Sequence, residues 1–273
     1  MEKLTAARLQ ALNDEHVRNL ARMEQSNADV LVHSTDIPGG YVVPLHRHRR
    51  AQFLCVFSGV VLVATDRGRW MIPPGHALVI PQGLEHSVEM CSDVSMRSVY
   101  IHAPTGQAAS PEPAVLEVTE LARQLIATAV QQGRVPDDRG RADLVMALLL
   151  DEIGRLPERR LGLPFPASGR LAGLCRDFVD HPSPTAKIDD WARQLHMSRR
   201  TFTRFFRQEM GVSFVTWRQQ ACLFACLPRL AAGEPVTRVA LDAGYESVPA
   251  FTTMFRRMLG TSPRAYLSSR AAA

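Results

Sequence analysis

The feature that most constrains the fold is a C-terminal segment that occurs twice. Residues 202–214, FTRFFRQEMGVSF, align with residues 251–263, FTTMFRRMLGTSP, at an offset of 49 positions. Upstream, WARQLHMS at 191–198 corresponds to VALDAGYES at 239–247 with one residue inserted. Two copies are too few for a solenoid, in which at least three repeats stack to bury a common core. The pattern therefore predicts one module that has been duplicated.

Each copy is predicted to be a helix, a short turn and a second helix. Phe202 and Phe206 recur at helical spacing and are expected to face inward, and Ser198 or Ser247 can cap the second helix. A helix-turn-helix places its second helix in the DNA major groove, where polar side chains reach base edges. The residues expected to contact double-stranded DNA are Ser198, Arg199, Arg200, Thr203, Arg204, Arg207, Ser247, Thr252, Arg256 and Arg257.

The distribution of charge favours a polyanionic partner for this part of the chain. The sequence holds 32 Lys and Arg against 27 Asp and Glu, a formal net charge of +5. From Arg170 onward there are 15 Lys and Arg against 8 Asp and Glu, whereas the preceding residues hold 17 against 19. The positive excess therefore belongs to the repeated part, although a solvated basic face without a partner would have the same composition.

These residues resemble the DNA-binding domain of the AraC/XylS family of transcription regulators, over about residues 180–267. The resemblance implies two helix-turn-helix units joined by one long helix, here about Phe214 to Leu230, which enter the major groove on one face of the DNA. The matching positions are Ala192, Met197, Ser198, Arg204, Phe206, Gly211, Ser213, WRQQ at 217–220, Val239, Ala240, Gly244, Tyr245, Ser247, Phe251, Phe255, Gly260, Ser262 and Pro263.

Three positions depart from the family pattern. Cys222 stands where the family commonly has Arg, so a structural or phosphate contact is absent. Pro228 lies near the end of the joining helix, where its ring and missing N–H are expected to kink or shorten the helix. Pro249 falls in the first turn of the last recognition helix, where proline is tolerated. Because the first unit has more arginines, we expect it to contribute more of the DNA affinity.

Residues 30–102 follow a different pattern, with two histidine-containing motifs. Short runs rich in Val, Ile and Phe, separated by turn residues, predict a small all-β barrel or sandwich. PLHRHRRAQF at 44–53 supplies His46, His48 and Gln52, and the motif that ends at His86 follows a Pro-x-Gly turn. These motifs resemble those of the cupin barrel, the sensor domain of many AraC-like regulators.

The cupin resemblance implies that His46, His48, Gln52 and His86 occupy the positions that hold one divalent ion in metal-binding cupins. Alternate residues of a strand share a face, so His46 and His48 are expected to point into the barrel together. Gln52 replaces a glutamate and removes one anionic donor, but three imidazoles suit Ni²⁺, Zn²⁺, Fe²⁺, Co²⁺ or Cu²⁺. The alternatives are a polar pocket for a small-molecule effector and a structural remnant.

Other polar residues of this half are assigned less directly. We expect His33, His76 and His102 at the surface or at strand ends. Arg50 is a weaker candidate for the pocket wall, where it would pair with a carboxylate.

The sequence thus predicts an α+β protein of two domains, a cupin-like β-barrel and an all-α DNA-binding domain with two helix-turn-helix units joined by a long helix. Residues 1–110 are expected to form the sensor domain with an N-terminal helical extension, 111–155 a helical segment, 156–169 a linker and 170–270 the DNA-binding domain. The helical segment either packs on the barrel or forms a homodimer surface. The candidates for that surface are Leu144, Val145, Leu148 and Leu149.

The resulting hypothesis is a one-component, sequence-specific transcription regulator, not an enzyme, that senses a metal ion or a small molecule. The order of motifs is similar to a branch of the family that typically controls nearby genes, often for efflux-type transporters, and RNA polymerase is a further partner of an activator. A metal-dependent cupin enzyme and a constitutive regulator with a structural barrel are the alternatives. Five cysteines without CxxC spacing and no long apolar segment favour the cytoplasm and exclude a membrane partner.

Overall fold

The computed structural model describes residues 4–66, 68–102, 112–132, 139–159, 161–166, 169–259 and 261–268. Gly260, the expected counterpart of Gly211, and the last residues of the expected DNA-binding domain lie outside these ranges. The chain divides into two compact units. The first comprises residues 1–63 and 72–160, and the second comprises residues 64–71 and 161–273.

Antiparallel strands dominate the first unit. One helix precedes the first strand, and two helices lie between the ninth and tenth strands. The strands of the chain are β1 Val30–Ile37, β2 Val42–His46, β3 Ala51–Ser58, β4 Val61–Thr65, β5 Gly68–Ile72, β6 His76–Ile80, β7 His86–Met90, β8 Val94–Ile101, β9 Ala114–Glu117, β10 Glu158–Arg159 and β11 Gly162–Pro164. The helices of this unit are α1 Ala6–Gln25, α2 Glu120–Gln132 and α3 Arg139–Ile153.

Two antiparallel sheets confirm the predicted β-domain. One has the strand order β1-β8-β3-β6-β9-β10, and in the other β7 lies between β4 and β2. Successive residues of β3 point to opposite faces, as the period of a strand requires. Phe53 and Cys55 join the core that contains Ile126 of α2 and Leu149 of α3, whereas Gln52 and Leu54 line an internal cavity. The helical segment therefore packs on a sheet.

The stretch predicted to be a linker, residues 156–169, contains two short strands. β10 pairs with β9 in the first unit, and β11 pairs with β5 in the second. Leu156, Leu161 and Leu163 are buried, so their apolar side chains fix a segment whose prolines and glycines favour turns. Gly162 lies against the indole of Trp70, where a Cβ atom would come within 2.6 Å of Nε1. Burial, which local pattern does not report, decides the structure here.

The second unit is helical apart from its strand pair. Its helices are α4 Arg170–Asp180, α5 Ile188–Gln194, α6 Arg199–Met210, α7 Phe214–Ala231, α8 Val236–Asp242, α9 Val248–Leu259 and α10 Pro263–Ser268. Aromatic rings form the core around the first helix pair, where Trp191 lies 5.0 Å from Phe214 and 5.7 Å from Trp217 between ring centroids. Trp217 also donates its indole N–H to the Pro164 carbonyl at 2.9 Å.

The long joining helix is present at the predicted place. α7 begins after Ser213, whose hydroxyl accepts from the Thr216 N–H, and ends at Ala231. It continues for three residues past Pro228, so the proline does not shorten it as expected. Only the last turn follows the proline, and there the lost hydrogen bond costs little continuity. Cys222 is buried in this helix, which places it in the core and away from solvent.

Candidate functional site

Three of the histidines predicted to bind a metal lie side by side in the first unit. His46, the last residue of β2, pairs with His86, the first residue of β7, and their ring centroids are 4.3 Å apart. His48 lies in the following loop, with its ring centroid 5.1 Å from that of His86. One ring nitrogen of each lies within 4.8 Å of the other two. Because β2 ends at His46, the loop and not strand alternation directs His48.

The same type of hydrogen bond orients all three rings. In each, Nδ1 lies near a backbone carbonyl oxygen two residues away, at 2.8 Å for His46, 2.6 Å for His48 and 2.9 Å for His86. A carbonyl oxygen only accepts, so Nδ1 carries the proton and Nε2 of a neutral ring carries a lone pair. Backbone carbonyls fix the tautomer of metal-binding histidines in this way. His76 has a similar contact at 3.2 Å but lies outside the cluster, so the contact alone does not define a site.

The Nε2 atom of His86 differs from the other ring nitrogens of the cluster in its environment. It is buried and has no hydrogen-bond partner among the residues that the structure describes. A buried polar atom without a partner costs about 1–3 kcal/mol. A lone pair in this position is stabilised by a donor or by a cation.

Gln52 faces His48 from β3 and is held in place by two hydroxyl groups. Its amide nitrogen donates to Ser98 Oγ at 2.9 Å and to the Tyr100 hydroxyl at 3.1 Å. Its amide oxygen lies 3.1 Å from Nε2 of His48. In this arrangement the oxygen faces the lone pair of a neutral His48 ring, which is unfavourable unless a proton or a cation lies between them.

Burial disfavours the protonated form of two of the three rings. It lowers the pKa of His86 to about 3, with a further contribution from the charge of His46, and it also lowers the pKa of His46. Since an unperturbed histidine titrates near 6.5, His86 stays neutral at physiological pH. The neutral ring is the form that binds metal, so no proton need be displaced from His86.

Helix α1 closes one side of the cavity that His46, His86 and Gln52 line. The cavity has a volume of about 90 Å³, and Leu12, His16 and Asn19 of α1 contribute to its lining. The ring centroid of His16 is 4.7 Å from that of His46. His33 also lines the cavity and lies 3.4 Å from the Asn19 amide nitrogen, so its expected place at the surface or a strand end is wrong. His16 lies outside both histidine motifs, so neither motif indicated it.

The helical period offers the one sequence feature that points to His16. Leu12, His16, Asn19 and Met23 follow the spacing of one helix face, and all four line the cavity. That face is less apolar than a core-facing stripe usually is, since two of its four residues are polar. Polar residues on an otherwise inward face indicate a helix that covers a polar pocket.

Two arginines of the histidine loop hold it to the end of α1. The backbone N–H of Arg49 donates to the Glu24 carboxylate at 2.9 Å, and the two side chains form an ion pair at 3.4 Å. Arg50 is buried and donates to three carbonyl oxygens of residues 26–29, at distances from 2.6 to 3.3 Å. The expectation that Arg50 pairs with a carboxylate in the pocket wall is therefore wrong, because backbone carbonyls take its donors.

In the second unit, the two helix-turn-helix copies follow the same backbone path. A hydrogen bond closes each turn, from the Met197 N–H to the Ala192 carbonyl at 2.9 Å in the first copy and between the equivalent residues at 3.1 Å in the second. The left-handed residue is His196 in the first turn, with φ 55°, and Gly244 in the second, with φ 79°. The duplication predicted from sequence is therefore present in the backbone.

Three arginines form the exposed basic side of α6. Phe202 and Phe206 are fully buried, and Arg200, Arg204 and Arg207 lie on the exposed side. Within the described part of the chain, these three guanidinium groups form no ion pair. They are therefore available to an external anion.

Other residues predicted to contact DNA are engaged within the fold. Ser198 and Ser247 are N-caps, and their hydroxyls accept from the backbone at 3.2 Å and 3.3 Å. Arg199 forms an ion pair with Asp189 of α5 at 3.0 Å. Thr203 donates its hydroxyl to the Arg199 carbonyl at 2.8 Å. A DNA contact by Arg199 or Thr203 would compete with these interactions.

Helix α9 presents less positive charge than α6. Arg256 is exposed, Thr252 is half-buried, and Arg257 donates to the amide oxygen of Gln219 on α7. α9 begins at Val248 with Pro249 in its first turn, so the helix tolerates this proline as expected. Arg256, unlike Arg257, is an exposed cation of α9 that does not contact Gln219.

The four residues predicted to form a dimer surface divide into two pairs. Leu149 is fully buried in the core of the β-sheet domain, so it cannot lie at a surface between copies, and the partly buried Val145 packs against the same core. Leu144 and Leu148 remain exposed at 74% and 46%. The prediction is wrong for Leu149 and stays a prediction for Leu144, Val145 and Leu148.

Comparisons with known proteins place the chain among regulators. Among the described helices, none has the length and apolar character needed to cross a membrane. A solved structure of ToxT from Vibrio cholerae aligns with 89% of this chain and 99% of its own, with 10% identity and a TM-score of 0.38. The transcriptional regulator NimR of Escherichia coli strain K12 is 29% identical over 225 residues, which is 82% of each chain.

A second relative and two family models agree with NimR. The arabinose operon regulatory protein of Salmonella typhimurium is 26% identical over 239 residues, covering 76% of this chain and 82% of its own. A model of the AraC-like ligand binding domain matches residues 27–149, and a model of the helix-turn-helix domain matches residues 191–269. The chain therefore belongs to the AraC family of DNA-binding transcription regulators, with a ligand-binding domain ahead of its helix-turn-helix domain.

Proposed function

We propose that this protein is a metal-responsive, one-component transcription regulator in which His46, His48 and His86 hold one divalent transition ion. The observation that carries the proposal is the shared orientation of the three rings. Each Nδ1 donates to a backbone carbonyl, so Nε2 carries the lone pair of each ring, and one nitrogen of each ring lies within 4.8 Å of the other two. One of them, on His86, is buried without a partner. A bound cation would accept these lone pairs.

The donor set limits the choice of ion. Imidazole nitrogen suits Ni²⁺, Zn²⁺, Co²⁺, Cu²⁺ or Fe²⁺, whereas Mg²⁺ and Ca²⁺ prefer oxygen ligands. The amide oxygen of Gln52, 3.1 Å from Nε2 of His48, is a neutral donor in place of a carboxylate. We therefore expect weaker binding than in a site of three histidines and one glutamate.

The size of the cavity supports an ion over an organic effector. Its volume is about 90 Å³, whereas pockets for drug-sized molecules have volumes of roughly 300–1,000 Å³. Such a volume accommodates an ion with a few water molecules. An organic effector of ordinary size would require α1 to move away from the strands.

The DNA-binding surface consists of the second helix of each helix-turn-helix copy, α6 and α9. Arg200, Arg204 and Arg207 of α6 and Arg256 of α9 are the residues that we expect to contact phosphates or base edges. We expect Arg199, Thr203, Thr252 and Arg257 to contribute less, because internal contacts or partial burial limit them. Metal binding at the histidines of the β-sheet domain is expected to change DNA affinity by about 5- to 150-fold, the usual range of allosteric coupling.

The exposed leucines of α3 support a homodimer. Leu144 and Leu148 lie one helical turn apart, and both are exposed, so a second copy of α3 would bury them. The test is sedimentation of a Leu144→Glu/Leu148→Glu variant, with Leu241→Glu as a control at another exposed leucine. We expect the double variant to be monomeric and the control to match the parent. An unchanged mass in the double variant would exclude this surface.

The metal proposal is tested by mass spectrometry of the purified, untagged protein. We expect about one equivalent of transition metal per chain, lost in a His46→Ala/His48→Ala variant. His76→Ala is the matched control, since His76 has the same carbonyl contact outside the cluster. The second measurement is affinity for DNA selected from a random library, with and without the ion.

The outcomes separate the alternatives. Metal that is retained by the double variant, or absent after incubation with all five ions, would overturn the proposal. In the second case, a thermal-stability screen of small molecules would follow. Metal that binds at the cluster but leaves DNA affinity unchanged would indicate a structural ion and a constitutive regulator.

A further inference from the structure

We propose that His16 of α1 supplies a fourth imidazole to the ion held by His46, His48 and His86. This inference rests on the proposed metal site and extends it to a residue outside both histidine motifs. It makes α1 part of the site, so that occupancy of the cluster determines how firmly α1 is held against the strands.

The position of His16 is the first argument. Its ring centroid lies 4.7 Å from that of His46, with the planes at 76°. It lines the same cavity as His46 and His86. A side-chain rotation would be needed to bring a ring nitrogen to the cluster, since the set within 4.8 Å consists of the other three histidines. The His16 ring is therefore in contact range of His46, one member of the cluster.

The free ring nitrogens of His16 are the second argument. Within the described residues, neither nitrogen of this ring has a hydrogen-bond partner, whereas Nδ1 of each cluster histidine is committed to a carbonyl. His16 is half-buried. A half-buried ring with two uncommitted nitrogens can present either of them to an ion by rotation about its side-chain bonds.

The anchoring of α1 is the third argument. Asn13 accepts a hydrogen bond from the Tyr41 hydroxyl at 3.0 Å, and Arg49 pairs with Glu24 near the end of the helix. Contacts on both sides of His16 therefore hold its helix face over the cavity. The loop that carries His48 is also the loop that Arg49 ties to α1, so the helix and the cluster are linked at two places.

The chemistry of a fourth ligand fits a sensor. Structural zinc sites have four protein ligands, whereas catalytic sites keep one position open for water or substrate. With His16 bound in place of the weaker Gln52 amide oxygen, four imidazoles would fill the site and leave no position for turnover. Gln52 lacks the negative charge of a glutamate ligand. An imidazole nitrogen would partly compensate, because it is a stronger ligand for these ions than an amide oxygen.

The test compares the full-length protein with two variants of α1. His16→Ala removes the proposed ligand. Asn13→Ala removes the hydrogen bond to Tyr41 and so loosens α1 without removing a ligand. Three properties are measured: the Co²⁺ dissociation constant by chelator competition, the visible spectrum of the Co²⁺-loaded protein, and hydrogen exchange of α1 with and without Co²⁺. Circular dichroism establishes that each variant is folded.

We expect His16→Ala to bind Co²⁺ at least about tenfold more weakly, with an altered spectrum and no metal-dependent protection of α1. Asn13→Ala should keep the parent spectrum and the metal-dependent protection. Equal affinity, spectrum and protection in His16→Ala and the parent would overturn this inference and leave the three-histidine site intact. Equal losses in both variants would also overturn it, because helix docking would then explain them. Failure of the parent to bind Co²⁺ would remove the metal proposal itself.

Discussion

The two helix-turn-helix units share one backbone path but carry different surfaces. Their turns are closed by equivalent hydrogen bonds, and each second helix packs through two phenylalanines, Phe202 and Phe206 in α6 and Phe251 and Phe255 in α9. Among the described residues, the exposed Arg200, Arg204 and Arg207 of α6 form no ion pair. In α9 Arg256 and Arg257 are both exposed, and Arg257 contacts Gln219 of α7. Packing residues preserve the shape of a duplicated module while its surface changes independently.

The two helix-turn-helix units also differ in the polar contacts that residues of α7 make with them. In the first, Arg218 of α7 donates to the Ala186 carbonyl. In the second, Arg229 of α7 bonds to Glu234 at 2.7 Å and to Asp242 of α8 at 2.6 Å. The first unit is thus the more cationic, and the second is held by an ion-pair network. We infer that the first contributes more affinity and the second more positioning.

The largest expected effect is the loss of the α6 arginines. An Arg200→Ala/Arg204→Ala/Arg207→Ala variant should bind DNA on the order of 100-fold more weakly, since three contacts of about 1 kcal/mol each are lost. The slope of log affinity against log salt should become shallower by about 0.9 for each phosphate contact removed. Titration of labelled DNA at several salt concentrations measures both. Arg256→Ala is the comparison in the second unit, and a larger loss there would reverse the proposed order.

The turns differ in their tolerance of a side chain. Gly244→Ala should lower the free energy of unfolding by about 1–2 kcal/mol, because a left-handed residue with a Cβ atom is strained and that atom would lie 3.3 Å from Pro184. His196→Gly should change it by less, since relief of strain at φ 55° is offset by a more flexible unfolded chain. Urea denaturation of both variants measures the difference. A tolerated Gly244→Ala would contradict this difference and mean that the second turn accommodates a side chain as the first does at His196.

Adding charge to the second unit should reduce the asymmetry. Thr253 is exposed on α9 at the position equivalent to Arg204. Thr253→Arg should tighten DNA binding by about fivefold and steepen the salt dependence by about one contact. The same titration measures it, with Thr253→Gln as an uncharged control of similar length. No change in salt dependence would show that this face of α9 does not approach phosphates.

The smallest expected effect concerns the fastening of the second unit. Arg229→Met removes the bonds to Glu234 and Asp242 but keeps an unbranched side chain. Since these ion pairs are partly exposed, the loss of stability should be about 0.5–1 kcal/mol. Hydrogen exchange should rise in α8 and α9 and remain unchanged in α5 and α6. A uniform increase across both units would show that the network does not act on the second unit specifically.

Sequence patterns predicted the parts of this fold that depend on local periodicity. The duplicated helix pairs, the bounds of α7 and the closeness of His46, His48 and His86 follow from helical spacing, capping serines and motif resemblance. Leu149 shows the limit of that reasoning. Its spacing relative to Leu144 and Leu148 identifies an apolar helix face but does not distinguish a sheet beneath the helix from a second chain.

The residues that sequence reasoning missed are those placed by tertiary contacts. His16 lies 30 residues before His46 in a helix of its own, and no local pattern indicates which strands that helix covers. The position of Arg50 was missed for a similar reason. Its partners are backbone carbonyls of residues 26–29, which no residue type in the sequence identifies. Residues 156–164 read as a linker because the burial of three leucines cannot be seen in their turn-forming neighbours.

The pairing of His46 with His86 has a consequence for the order of synthesis. These partners are 40 residues apart, and the cluster cannot assemble until β7 has left the ribosome and joined β2. At that point the DNA-binding helices have not yet been translated. If the cluster binds an ion as proposed, a nascent chain could therefore take it up before the DNA-binding helices have been made.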